Sequence, residues 1–313
     1  MSTTSTILLR RGTQSDIIPY VEQAGELVWG TDSNQLTVGG RPVSYWRNET
    51  NQLELYASPV GVSTNTGLSV ASPLPLTDAI DFANKQPASY VWEGIRINLA
   101  TGSYYITSSL IFNGRSSMRI ASYSAPRTCK IYATGSAVGY PIISVSDNAT
   151  LTITGIQLIP GNTVSSSLNQ YTGVLSDKKG WVYIDNVIFG DTNKWMRYCV
   201  FATMQSIAVL SNTASIDTNV WYNIFDSVAG SSVRSNASQF QFRNNPYASN
   251  FIHCGQNSGF VNGVVPTFSG SNSVARKGTV DQFSTVNLGG LPVASVPGIL
   301  GFATGSLTVA SMN

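Results

Sequence analysis

Charge is what this chain has least of. Lys and Arg contribute 18 residues and Asp and Glu 16, so 11% of the 313 residues are charged, against about a quarter in an average soluble protein. The net charge is +2, and its basic pairs, Arg10-Arg11, Lys178-Lys179 and Arg276-Lys277, are isolated. They read as solvated surface charges, and the absence of a basic stripe argues against a nucleic-acid partner. Cysteine is scarce as well. Cys129, Cys199 and Cys254 are odd in number and widely spaced, which excludes a disulfide framework or a zinc spacing and predicts buried free thiols in a chain folded in a reducing cytoplasm. No run of eighteen apolar residues occurs, so no membrane insertion is expected. Met1 to Ile7 has no basic region leading into an apolar run, so no secretory signal is expected. No phosphate-binding loop, dinucleotide fingerprint or HExxH stands in the chain. The reading therefore assigns no cofactor, no metal site and no catalytic residue.

What fills the space is Ser, Thr, Asn, Gln and Gly. These residues suit strands and tight turns and make poor long helices. The clearest pattern lies between Thr150 and Asp191. Leu151-Thr152-Ile153-Thr154-Gly155-Ile156-Gln157-Leu158 and Val182-Tyr183-Ile184-Asp185-Asn186-Val187-Ile188-Phe189 share one design. Apolar residues alternate onto one face, a Gly or Asn breaks the strand, and a second short apolar run comes after it. Leu151 and Val182 are 31 residues apart; Met118 and Ile120 precede Leu151 and Ile153 by 33. Phe240 and Phe242 lie 58 residues after Val182 and Ile184, which fits two turns of 29. A recurring strand–bend–strand unit predicts a solenoid, a right-handed parallel β-helix of about five to seven turns, over an ordinary β-sandwich.

Upstream, Gly25 to Gly39 reads as a hairpin. It repeats 17 residues later, where Trp46, Glu49, Asn51, Gln52, Leu53 and Leu55 correspond to Trp29, Asp32, Asn34, Gln35, Leu36 and Val38. Residues 57–76, with Pro59, Pro73 and Pro75, read as a linker. Leu76 to Lys85 reads as a helix in which Thr77 caps the first turn and Ile80 and Ala83 share a face. Its place ahead of the solenoid suits a cap over the first turn, which would otherwise expose apolar surface and strand edges. The class is all-β: an N-terminal β-hairpin module at 1–56, the linker at 57–76, the β-helix with its short capping helix at 77–281, and an apolar segment at 282–313. No charged residue lies beyond Asp281. A segment of that kind is expected to be buried against other subunits or to form a receptor-contacting tip.

Leu8-Leu9-Arg10-Arg11-Gly12-Thr13, then Gly25-Glu26-Leu27, Thr31-Asp32 and Val38-Gly39, resemble the N-terminal module of phage tail fibre and tailspike proteins. That module also begins the phage major tropism determinant and phage hyaluronidase-type fibres. The resemblance covers roughly residues 7 to 40, and the solenoid region is similar in general pattern to the pectate-lyase-like β-helix of phage tailspikes. The resemblance implies a homotrimer in the virion, assembled in the host cytoplasm. Its N-terminus would attach to a phage tail, baseplate or adaptor protein, and its β-helix would bind host surface polysaccharide or lipopolysaccharide. A glycan-depolymerising tailspike and a purely structural head or baseplate fibre are the alternatives.

Two kinds of residue could carry such a function. Aromatic faces stack on sugar rings while Asn, Ser and Thr bond hydroxyls, and Trp195, Tyr198 and Trp221 are the expected ligand-binding residues. Trp92, Trp181 and Tyr247 are further candidates, and core packing claims at least half of the set. Cleavage would need a pair of carboxylates, one protonated and one ionised. Asp185 with Asp191, and Asp217 with Asp226, lie near each other in sequence, but Asp is also an ordinary turn residue. His253 is the single histidine, and the sequence supplies it with no partner.

Overall fold

The computed structural model describes residues 9–12, 27–30, 35–38, 41–44, 52–86, 93–114, 117–122, 128–134, 139–161, 171–281 and 283–304. It divides into two compact units, Met1–Glu54 and Leu55–Asn313.

The first unit holds a four-stranded sheet in the order Leu9–Gly12, Leu27–Gly30, Gln35–Val38, Arg41–Ser44. Leu27–Gly30 and Gln35–Val38 pair antiparallel as the hairpin reading requires, while Leu9–Gly12 pairs with Leu27–Gly30 in parallel. The second copy of the hairpin is corrected. Trp46, Glu49 and Asn51 lie outside the described residues, and Leu53–Ala57 joins the sheet that begins the solenoid.

The second unit is a β-solenoid of about seven turns built from parallel sheets. Each turn contributes two strands, separated by a bend, to one sheet and a third strand to the other. The alternation seen in the sequence is the reason. Ile95, Met118, Leu151, Val182, Ala208, Val233 and Phe260 stack one above another in register, each at most 1% exposed. Side chains of alternate residues point inward, so each turn lays a row of apolar groups on the last. At the bend Gly155, Asn186 and Asn212 take φ of 68°, 51° and 53°. Gly and Asn enter this left-handed region at little cost, which explains why they break the strand. The amide of Asn212 donates to the Asp185 carboxylate of the turn before at 2.6 Å.

One correction concerns period. Phe240 and Phe242 do not lie on Val182 and Ile184. They pair with Ala214 and Ile216, which pair with Val187 and Phe189 beyond the bend. Cross-rung hydrogen bonds span 33 residues at Gln157 but 25 at Ser206. The turns that follow Val182, where it stacks on Ala208 and Ala208 on Val233, are shorter than the two before it, so a fixed 29-residue step overshoots.

The return from the third strand to the next turn is regular in a way the sequence reading did not find. Asp147-Asn148, Lys178-Lys179, Met204-Gln205, Ala229-Gly230 and Gln256-Asn257 all have two successive positive φ values. These are tight turns of the kind with both central residues left-handed. A small buried residue comes after each: Ala149, Gly180, Ser206, Ser231 and Ser258. A Cβ on Gly180 would sit 2.3 Å from the carbonyl oxygen of Val145, so size there is strictly limited.

Helix α1, Leu76–Asn84, buries Leu76, Ala79, Ile80 and Ala83 against strands Ile95–Leu99 and Leu110–Phe112 of the first turn. Asn84 donates to the Ile111 carbonyl at 2.7 Å. Thr77 does not cap this helix. Pro75 occupies that place without a side-chain bond, because proline fixes the extended entry and needs no N–H partner. Residues 57–76, read from the sequence as a linker, are folded. They fold back, with Tyr56 N–H bonding Gly67 O at 2.7 Å and Leu74 N–H bonding Tyr56 O at 2.9 Å. The solenoid also continues past Asp281: Thr285–Asn287 extends one sheet and Leu300–Thr304 the other. The rest of the expected tip, 305–313, lies outside the described residues. All three cysteines are buried, as composition indicated; burial pushes the Cys254 thiol up to about 12.

Candidate functional site

The chemistry concentrates on the outer face of the sheet made by the third strands. From Pro141–Val145 to Tyr247–Cys254 these strands carry two consecutive inward residues: Ile142-Ile143, Cys199-Val200, Ile224-Phe225 and Phe251-Ile252 are all buried. Strict alternation would put residues three apart on opposite faces. The doubled inward pair instead turns both flanking residues outward and brings them together. Tyr198 and Phe201 stack with ring centroids 4.9 Å apart, and Asn223 donates to Asp226 at 2.7 Å.

The upper part of this face is aromatic. Strand Asn219–Ser227 bulges, setting Trp221 and Tyr222 opposite the single residues Arg197 and Ser249 of its neighbours. Bulges re-aim side chains, and here two rings turn outward. Trp195 packs edge-on to Trp221 at 6.3 Å and lies 6.0 Å from Tyr247. Tyr222 lies 5.9 Å from Tyr198, and the Arg197 guanidinium sits 5.1 Å over the Tyr222 ring and 5.2 Å over Tyr198. The three expected residues, Trp195, Tyr198 and Trp221, thus fall in one patch, with Tyr247 on the next rung. Trp181 does not join them; it stacks on Tyr183 at 6.0 Å in the other sheet. Trp92 lies outside the described residues.

The lower part is polar. Asn250 donates to Asn223 at 2.7 Å, and the Thr279 hydroxyl meets the Asn250 amide oxygen at 3.3 Å. His253 contacts Asp226 through Nδ1 at 2.7 Å and Asp281 through Nε2 at 3.3 Å. The histidine therefore has two carboxylate partners, 27 residues before it and 28 after it. Sequence reasoning missed both, because they become visible only once the turn length here is known. Burial by itself depresses the imidazole. Asp226 first and Asp281 second outweigh that, and the net shift is upward. Each ring nitrogen is engaged, so the imidazole links the two acids, and its protonated form donates to both. Burial, with the Asp226 charge next, raises the Tyr198 phenol and keeps its hydroxyl neutral.

The remaining carboxylates are mostly turn chemistry. Asp177 and Asp191 each accept the N–H of the next residue at 2.8 Å. Asp185 accepts from Asn212 and Asp217 from Asn244 at 2.5 Å. The sequence pairs Asp185 with Asp191 and Asp217 with Asp226 are thus bonded separately. Among the described residues, no group of three or more His, Cys, Asp or Glu is arranged to hold a metal ion, and no helix is long and apolar enough to cross a membrane.

Comparison with protein-family models, with curated proteins and with solved structures finds no match to this chain.

Proposed function

We propose that the chain is the structural protein of a phage tail appendage, a homotrimeric tail fibre or tailspike, and that it binds glycans of the host surface. The N-terminal module, which ends before Leu53, serves virion attachment, to a tail, baseplate or adaptor protein, and the solenoid presents the receptor-binding face. The observation that carries the binding role is the aromatic patch of Trp195, Tyr198, Trp221, Tyr222 and Tyr247 set against the Asn223–Asn250–Thr279 ladder. Rings supply flat apolar faces for sugars, and amides and hydroxyls supply orientation. Both lie on a rigid sheet, so little side-chain freedom is lost on binding. Several weak sites in a trimer, and several trimers on a particle, bind a surface by avidity.

A second reading, a glycan depolymerase, is supported by one feature. Asp226 and Asp281 are a carboxylate pair beside the aromatic patch. Both are bonded to His253, which takes up the oxygens that an acid–base pair would bring to a glycosidic bond.

The test is incubation of the protein with host-surface polysaccharide, and then sizing of the glycan and co-sedimentation. An intact glycan that sediments with the protein supports the adhesin, and Trp221→Ala should then weaken binding about tenfold. Shortened chains make it a depolymerase. An intact, unbound glycan leaves only a structural role, as in a head or baseplate fibre.

A further inference from the structure

A second cluster lies on the other sheet, in an outward column running through successive rungs. Arg96 pairs with Arg119, Arg119 with Thr152 and Thr152 with Tyr183. Like charges on adjacent strands repel, so two stacked arginines need a reason. Glu93 provides part of it. Its Oε2 lies 3.3 Å from Arg119 and 3.7 Å from Arg96, and one carboxylate oxygen serves both. Among the described residues, that leaves one positive charge uncompensated.

The donors are in larger surplus than the charge. Two guanidinium groups carry about ten N–H donors, and among the described residues the Glu93 carboxylate is the acid they meet. The Nε atoms of Arg96 and Arg119 are buried with no partner among the described residues. On the next rung the Thr152 hydroxyl is in the same position, in a residue only 9% exposed. These three atoms have almost no accessible surface, so a ligand would meet the exposed terminal N–H groups of the guanidiniums beside them. Meanwhile a third of each arginine side chain remains exposed, 35% and 33%. One rung further on, the Tyr183 ring is stacked nearly parallel to Trp181, at an interplanar angle of 10°. Rungs are ~4.8 Å apart, so an anion held at Arg119 lies roughly 10 Å from the Tyr183 ring.

We infer that this column is a binding site for an acidic saccharide. A sugar carboxylate is held by Arg96 and Arg119, and a neighbouring ring is stacked on Tyr183 and Trp181. Arginine presents paired donors that match a carboxylate. The column runs on from Tyr183 through Val209 to Arg234, so its cations fall in separated groups, which suits a polymer with spaced carboxylates; a nucleic-acid strand calls for a close succession of cations along its phosphates. The site stands on a different sheet from the Trp195–Trp221 face and does not depend on that face binding anything.

The experiment is calorimetric titration of the full chain with three probes of similar length: an alginate oligosaccharide, a neutral dextran oligosaccharide and a single-stranded oligonucleotide. The expected order is alginate tightest, by about tenfold over dextran, with binding weakening as salt rises. Arg119→Gln should lower alginate affinity about tenfold. Glu93→Gln should tighten it, since the competing carboxylate is gone, and a purely structural salt bridge gives no such gain. Lys178→Gln, at an exposed return turn outside both sites, should leave alginate binding unchanged, which separates this site from general charge attraction. Equal affinity for alginate and dextran, preference for the oligonucleotide, or loosening by Glu93→Gln would each overturn the inference. If Arg119→Gln does not fold, Glu93→Gln and the salt dependence still decide.

Discussion

The third strands of the early turns and of the late turns share one backbone design and carry different chemistry. Ile143, Val174, Val200, Phe225 and Ile252 form a single inward column through all of them. The outward residues that flank the doubled inward pair are Pro141 and Ser144 in one early strand and Thr172 and Leu175 in the next. In the late strands they become Tyr198 and Phe201, Asn223 and Asp226, Asn250 and His253. Length changes with them. Pro141–Val145 and Thr172–Ser176 have 5 residues each, while Trp195–Ala202, Asn219–Ser227 and Tyr247–Cys254 have 8, 9 and 8. The extra residues at the start of the late strands carry Trp195, Trp221 and Tyr247, and in Asn219–Ser227 they bulge. From Pro141–Val145 to Tyr247–Cys254 the scaffold thus supplies the paired outward columns, and side-chain choice and strand length decide where they become a site.

The largest expected break in this comparison is in the late core. Phe225 meets Phe240, Phe251 and Phe260 at ring distances of 5.6, 5.3 and 6.1 Å. Phe225→Ala should cost about 3–5 kcal/mol, seen as a lower denaturation midpoint, whereas Ile143→Val in the early turns should cost about 0.5–1.5 kcal/mol. Next comes His253→Ala, expected to cost about 2–3 kcal/mol by leaving the buried Asp226 with fewer bonds. Its pH dependence sharpens the point. The folded-state imidazole titrates above its ordinary value, so its stabilisation is full below about 6.5 and is lost as pH rises through the folded value. Wild-type melting temperature should fall over that window, and the variant should show no such fall. Gly180→Ala, beside a turn with no free space, should cost about 1–3 kcal/mol by overpacking against Val145. The smallest effect is Asn186→Gly at the bend, expected to change stability by less than about 1 kcal/mol.

The sequence displayed the solenoid because Leu151, Ile153, Val182 and Ile184 sit in alternating strands with a visible bend residue after them. It displayed the aromatic members of the candidate site by side-chain type alone: Trp195, Tyr198 and Trp221 offer ring faces of the kind that sugars stack on. It hid the partners of His253. Contacts between rungs depend on the length of the turn, and turn length is set by loops that add or lose residues without disturbing the sheets. The misplacement of Phe240 and Phe242 has that same cause. Leu53–Ala57 was hidden differently, since a strand that resembles a hairpin arm nearby gives no local sign of its distant partner. The turns at Lys178-Lys179 and Met204-Gln205 escaped because neither pair carries the Asn or Gly that commonly marks two left-handed residues. There the stacked N–H groups, such as Lys179 to the Met204 carbonyl at 3.0 Å, hold the conformation.

Those stacked returns at Lys178, Met204, Ala229 and Gln256 make each late turn enter and leave the solenoid at the same point with the same backbone. A whole turn is therefore an interchangeable module. One can be removed or duplicated with every inward column kept in register, while a gain or loss of a single residue inside a strand throws its side chains to the wrong face. Length in this chain is free to change in steps of one turn, each step adding or subtracting one rung of the exposed face.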